Sequence, residues 1–248
     1  MSNAEASLAT RSKKLHDITQ LVFEKFDLAP KNLQLFAWLH LLENTNDLIV
    51  NLPVGYGKSL IYQLFPTIYS LLHPSTSPCV LVVSPLNMIQ RDQLLSMFSR
   101  NIPACQIDTR GLIRTNNNCE VVDVKDVARG KFHVVLCHPE SLFSSDTGKH
   151  LLSMSSFTSC VKAVFIDECH VIDKWQDDFR TDFSQLKTLP AFFPAVPLVA
   201  MSGTMNQNSL KVLPIILNLQ KPEILKESPD VVNVKLIKTE KKNPRMSC

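Results

Sequence analysis

The stretch Asn51–Phe65, NLPVGYGKSLIYQLF, decides the fold. It continues an apolar run that begins at Asp47 (DLIVNLP) and opens onto a second one, so a buried strand passes through a glycine-bearing turn into a helix. Gly55 and Gly57 let the backbone curl tightly and aim successive N–H groups at an anion. A helix beginning near Ser59 adds its positive end at the same place. The generic phosphate loop reads G-x-x-x-x-G-K-[ST]; aligning Gly57, Lys58 and Ser59 with its end puts Leu52 where the first glycine belongs. On that reading Pro53, Val54, Gly55, Tyr56 and Gly57 wrap the phosphates of ATP. Lys58 reaches the β- and γ-phosphates, and the Ser59 hydroxyl ligates Mg2+. A glycine-containing strand–helix turn with a surface lysine explains the same letters. The motif alone does not separate the two.

Outward from this stretch, four more short valine-rich runs recur: VLVVS from Val80, HVVLC from His133, VKAVFID from Val161 and VPLVAMS from Val196. Each is followed by a turn or a polar helical segment. Continuous apolar strands separated by helices indicate a mostly parallel sheet covered on both faces. The right-handed crossover rule makes this a doubly wound, three-layer α/β domain, with ligands bound at the carboxyl ends of the strands. Upstream, Leu15, Ile18, Val22, Phe23 and Phe26 predict one helical stripe, and a second helix is expected near 32–43. The organisation expected is a frayed, polar 1–13, one domain over 14–237 and a basic tail over 238–248. Thr109–Asn118 reads as a surface loop.

VFIDECH, Val164–His170, supplies the second half of a nucleotide site. Asp167 at a strand tip suits a magnesium ion, held through water. Glu168 beside it is placed to take a proton from an attacking water. A solvated acidic turn is the plainer alternative, but a phosphate loop and a strand-tip Asp-Glu pair in one parallel-sheet domain make it improbable.

Bulk composition narrows the remaining classes. The 248 residues carry 26 Lys+Arg against 23 Asp+Glu, a balance that permits a nucleic-acid partner without arguing for one. No apolar run is long enough for a membrane span. Seven scattered cysteines lack any Cys-x-x-Cys pair, so neither zinc nor a disulfide framework is expected.

These motifs resemble helicase superfamily 2, and within it the RecQ family. LPVGYGKSLIYQL resembles the RecQ form M-P-T-G-G-G-K-S-L-C-Y-Q, whose loop also lacks the first glycine. ECHVIDKWQDDFRTDF (168–183) resembles E-A-H-C-I-S-Q-W-G-H-D-F-R-P-D-Y, and VVSPLNMIQRDQL (82–94) resembles V-V-S-P-L-I-S-L-M-x-D-Q-V. HPESLFS (138–144) stands where the family has P-E-R-L, and VAMSGTMN (199–206) looks like its motif III.

The resemblance covers about Phe23 to Asn233, with its motifs in order. It implies a nuclear, ATP- and Mg2+-dependent 3′-to-5′ DNA helicase acting in repair and recombination on single-stranded or tailed duplex DNA. By position, Lys58, Ser59, Asp167 and Glu168 form the hydrolytic set. Gln34, 24 residues before Lys58, stands where the family reads adenine; an exposed helical glutamine is the other possibility. His170 with Ser202 and Thr204 would couple nucleotide to DNA. Trp175, Phe179 and Arg180 match an aromatic-rich loop whose rings stack on bases and whose arginine pairs with phosphate. Trp175 and Phe179 also have the i, i+4 spacing of a core-facing helix.

Four departures stand out: Val54 for threonine, Tyr56 for glycine, Cys169 for alanine and Gly203 for alanine. The segment 221–242 resembles the approach to a second RecA-like lobe, which would supply the arginine finger. That finger contributes ~10³–10⁵ in turnover, so the lobe alone is expected to bind ATP but hydrolyse it poorly. A non-catalytic ATP- or DNA-binding module partnering a full helicase is a second hypothesis. An RNA helicase lobe is a third, disfavoured by the aromatic run.

Overall fold

The computed structural model describes residues 3–43, 46–85, 87–115, 122–170 and 181–227. Helices α1 (Asn3–Phe26) and α2 (Asn32–Glu43) precede an eight-stranded sheet. Its strands are β1 (Leu48–Asn51), β2 (Cys79–Val83), β3 (Ala104–Ile107), β4 (Ile113–Thr115), β5 (Val134–Cys137), β6 (Val161–Ile166), β7 (Leu198–Ser202) and β8 (Glu223–Lys226). They lie in the order β4-β3-β5-β2-β6-β7-β1-β8, and every pairing is parallel except β3 with β4. Helix α3 (Lys58–Leu72) follows β1 directly and α4 (Asn87–Ser99) follows β2.

The expected doubly wound, three-layer α/β architecture is present. Successive residues of a strand point to opposite faces, and the core divides accordingly. Val80 and Val82 of β2 join Val22, Trp38, Ile61 and Phe65 from α1, α2 and α3. Leu81 and Val83 join Leu142, Phe157, Phe183 and Leu213 on the other face. The indole N–H of Trp38 donates to the Ile61 carbonyl at 2.9 Å, fastening α2 to α3.

Several expectations change in detail. The five anticipated strands are the five central ones, β5-β2-β6-β7-β1. Strands β3, β4 and β8 toward the edges are less apolar, so they give little signal. Within the expected surface loop Thr109–Asn118, Ile113–Thr115 pairs antiparallel with β3, while 116–118 lie outside the described residues. Asp108 makes that hairpin by accepting the backbone N–H groups of Arg110 and Leu112, both at 2.9 Å. Helix α1 starts at Asn3, within the segment expected to be frayed. On it Ile18 and Val22 are buried, but Phe23 is 56% exposed, because one residue is a turn of about 100° away from Val22. The tail 238–248 lies outside the described residues.

Cys79, Cys105, Cys137 and Cys169 are buried. Burial pushes the thiols of Cys79, Cys105 and Cys137 up, as expected of small apolar core residues. Among the described residues no group of His, Cys, Asp or Glu could hold a metal ion on protein ligands alone, and no helix is long and apolar enough to cross a membrane.

Candidate nucleotide-binding site

In a parallel sheet the carboxyl ends of adjacent strands open on one edge. Strands β6, β7 and β1 are neighbours, so Asp167 and Glu168 after β6, Ser202 at the end of β7 and the loop after β1 meet there. Asn51 and Ser202 stand level in the β1–β7 ladder, and the Leu52 N–H continues it to the Ser202 carbonyl at 3.1 Å.

The loop from Leu52 to Gly57 turns on two glycines with left-handed backbones, Gly55 at φ 82° and Gly57 at φ 90°. Gly57 is needed twice over. It caps α3 in a conformation side chains resist, and a Cβ there would stand 2.7 Å from Gln34 Nε2. Val54 at the loop crest is 86% exposed. The Lys58 ammonium donates to the Leu52 carbonyl at 3.0 Å, and a Cβ on Gly203 would stand 3.1 Å from it.

Gln34 is only 2% exposed, not a surface glutamine. Its Nε2 donates to the carbonyls of Tyr56 (3.3 Å) and Gly57 (3.0 Å), while its Oε1 accepts the Lys31 N–H at 2.9 Å. The carboxamide is thus engaged in bracing the loop. Lys31 Nζ also lies 4.4 Å from the centre of the Tyr56 ring, a cation–π contact.

Asp167 remains in the sheet, its N–H donating to the Val83 carbonyl at 2.9 Å, and the residue is 5% exposed. That carboxylate accepts the Glu168 N–H at 3.0 Å. Burial, then the neighbouring Glu168 charge, raises its pKa to about 6. Among the described residues it has no ion-pair partner. Glu168 turns the chain out of β6 at φ 51°, a left-handed backbone that a side chain adopts at a cost.

His170 Nδ1 lies 2.9 Å from Ser202 Oγ and 3.2 Å from Glu168 Oε2. A carboxylate only accepts, so Nδ1 carries the proton. Ser202 Oγ also accepts the Thr204 N–H at 3.2 Å. The strand-tip acid of β6 is thereby joined to the turn after β7.

Among the sequence candidates, Gln34, Lys58, Ser59, Asp167, Glu168, His170, Ser202 and Thr204 fall on this edge. Trp175, Phe179 and Arg180 lie outside the described residues. His138, which opens the HPESLFS segment, is buried and packs edge-on to Phe183 with ring centres 5.5 Å apart. Two residues at the site escape sequence reasoning. Asn51 clamps the Met205 backbone, donating to its carbonyl at 3.1 Å and accepting its N–H at 3.4 Å. Its signal is one polar letter ending the strand LIVN. Tyr62 is the other, three residues beyond Ser59 on one face of α3.

The family model "DEAD/DEAH box helicase" matches residues 31–212. Curated relatives include the bifunctional 3′-5′ exonuclease/ATP-dependent helicase WRN of Mus musculus, 33% identical over 74% of this chain and 12% of that protein. The putative ATP-dependent DNA helicase Q1 of Caenorhabditis elegans is 30% identical over 82% of this chain and 31% of its own length. The ATP-dependent DNA helicase RecQ of Pasteurella multocida is 29% identical over 80% of this chain and 29% of its own. Among solved structures, the helicase MrfA bound to DNA superposes with a TM-score of 0.60 at 15% identity, over 84% of this chain and 29% of that one. The chain therefore spans a third or less of these proteins.

Proposed function

Since the chain belongs to the DEAD/DEAH box helicase family and resembles its RecQ members, we propose that it is the ATP-binding motor lobe of a RecQ-like 3′-to-5′ DNA helicase. It takes ATP with Mg2+ at the β1 loop and single-stranded or tailed duplex DNA across the same edge of the sheet. Repair and recombination in the nucleus are the setting that the resemblance implies. One observation carries the reading. The phosphate loop, the Asp167–Glu168 pair and the His170–Ser202 contact stand together on three adjacent strand ends.

The residues fit a magnesium–nucleotide. Asp167 is a buried carboxylate without an ion-pair partner among the described residues, on the same sheet edge as the loop that leads into Ser59 of α3. Magnesium, when bound, neutralises phosphate charge and favours departure of the γ-phosphoryl group. The backbone N–H groups from Val54 to Gly57 and the end of α3 bind the phosphates. Lys58 holds the β- and γ-oxygens, and Ser59 and Asp167 flank the cation. Glu168 Oε2 accepts a proton from the attacking water, and His170 carries the change in Glu168 to Ser202 and the turn before Thr204. Trp175, Phe179 and Arg180 are proposed to grip the strand. The arginine finger comes from a second RecA-like lobe outside these residues.

The engagement of Gln34 with the loop, together with Tyr56 in it, favours a second reading: a non-catalytic ATP- or DNA-binding module that partners a full helicase. ATP hydrolysis with and without single-stranded DNA separates the two. The motor-lobe reading predicts weak, DNA-stimulated turnover that rises when a RecQ-type second lobe is joined after residue 248, with strand displacement on a 3′-tailed duplex appearing only then. No turnover in either form would leave the binding module. Robust unwinding by the 248 residues alone would contradict the need for a second lobe.

A further inference from the structure

Tyr62 is completely buried, and its hydroxyl has no partner in good hydrogen-bond geometry among the described residues, although the Ser59 side chain stands near enough to act on it as a loose hydrogen-bonding neighbour. A buried hydroxyl left unpaired is costly, and phenylalanine would fill the same space without that cost. Its placement says where the hydroxyl serves. On α3, Tyr62 lies one turn beyond Ser59 on the same face. Its ring packs against Phe165 of β6, with centres 5.7 Å apart and planes inclined at 59°. Phe165 and Asp167 are two residues apart on a strand whose ladder extends to the Asp167 N–H, so both face α3. The hydroxyl is therefore carried to the space between Ser59 and Asp167. The electrostatics agree. Burial pushes its pKa well above the usual phenol range, the charges of Asp167 and Glu168 push the same way, and a side-chain hydrogen bond with Ser59 opposes them.

We propose that Tyr62 is a positioning residue of the cation side of this site. Its hydroxyl donates a hydrogen bond into the oxygen shell that Ser59 and Asp167 build around magnesium when the nucleotide is bound. The inference rests on the magnesium–ATP reading above. It explains a buried hydroxyl that has no well-formed hydrogen bond without a ligand and gains one when the ligand is bound.

Tyr62→Phe in the full chain tests it, since the ring and its Phe165 contact remain. Magnesium is titrated into protein saturated with a fluorescent, non-hydrolysable ATP analogue, the analogue alone is titrated in EDTA, and thermal melting is followed in both states. The expected result is magnesium affinity weakened about three- to tenfold, with analogue affinity in EDTA unchanged. The ligand-free melting temperature stays the same or rises, and the stabilisation by magnesium–nucleotide shrinks. Unchanged magnesium affinity would overturn the proposal. So would an equal loss in magnesium and EDTA, or a lower ligand-free melting temperature, since each makes the hydroxyl a purely structural group. Wild-type protein whose nucleotide binding ignores magnesium, as Asp167→Asn is expected to do, would instead remove the underlying magnesium–ATP reading and this proposal with it.

Discussion

His170 Nδ1 lies 2.9 Å from Ser202 Oγ, and that hydroxyl in turn accepts the backbone N–H of Thr204 at 3.2 Å. A side chain two residues past the acidic strand tip thus holds the turn of the neighbouring strand. On the proposed reading this contact reports nucleotide state to the DNA-facing segments. Ser202→Ala removes it with little change in volume. Affinity for an ATP analogue should stay within about twofold. The difference in single-stranded DNA affinity with and without the analogue, followed by anisotropy of a labelled oligonucleotide, should largely vanish. An undiminished difference would show that the two sites communicate by another route.

Asp167 gives a pH dependence whose sign is fixed by its environment. Its folded pKa, about 6, lies above the ordinary aspartate value of 3.8, so the folded state holds the proton more firmly than the unfolded chain. Stability contributed by the protonated acid is therefore lost as pH rises through about 4 to 6. Asp167→Asn keeps the side chain neutral and should stabilise the ligand-free protein near pH 8 by ~1–3 kcal/mol. That gain should shrink as pH falls toward about 4. Denaturant unfolding at several pH values measures it. A destabilised Asp167→Asn near pH 8 would mean that the charge is paired in solution.

Gln34 is positioned both to brace the loop and, by resemblance, to read adenine. Gln34→Ala should lower the melting temperature, because it leaves the Tyr56 and Gly57 carbonyls without their donor. It should also weaken ATP binding severalfold more than GTP binding. Equal losses for the two nucleotides would leave the brace and remove the adenine role.

Val54 is 86% exposed at the loop crest, so no packing opposes its replacement. Val54→Thr places a hydroxyl beside the backbone donors of the loop. A neutral hydrogen bond contributes about 0.5–1.5 kcal/mol, which is a gain of about two- to tenfold in magnesium–ATP affinity. Weaker binding in the titration would show that the valine methyls take part in the bound state.

What the sequence reveals and what it hides follow from the range of the interactions. The five central strands and the turn at Gly57 are legible because burial on both faces and a tight bend leave local marks: valine runs and paired glycines. Strand β8, with one buried residue in four, leaves almost none. Phe23 misleads because a helix of mixed pattern offers more than one stripe. Asn51 is hidden for another reason. Its partner, Met205, is 154 residues away, and only the adjacency of β1 and β7 brings them together. Gln34 is recognisable by its distance from Lys58, but its hold on the loop carbonyls depends on how α2 packs over α3. Tyr62 reads as one more core aromatic until its hydroxyl is placed beside Asp167.

On the proposed reading the loop after β1 is a magnesium–ATP site governed by Lys58. Its most direct test is calorimetric titration of a non-hydrolysable ATP analogue with Mg2+ into the wild-type chain and Lys58→Ala. Hydrogen bonds to charged groups contribute about 1.5–3 kcal/mol, so the variant should bind at least tenfold more weakly. Its melting temperature should stay close to wild type, because among the described residues the Lys58 hydrogen bonds go to loop carbonyls at the site's mouth. Equal affinity of the two proteins for the analogue would contradict the account.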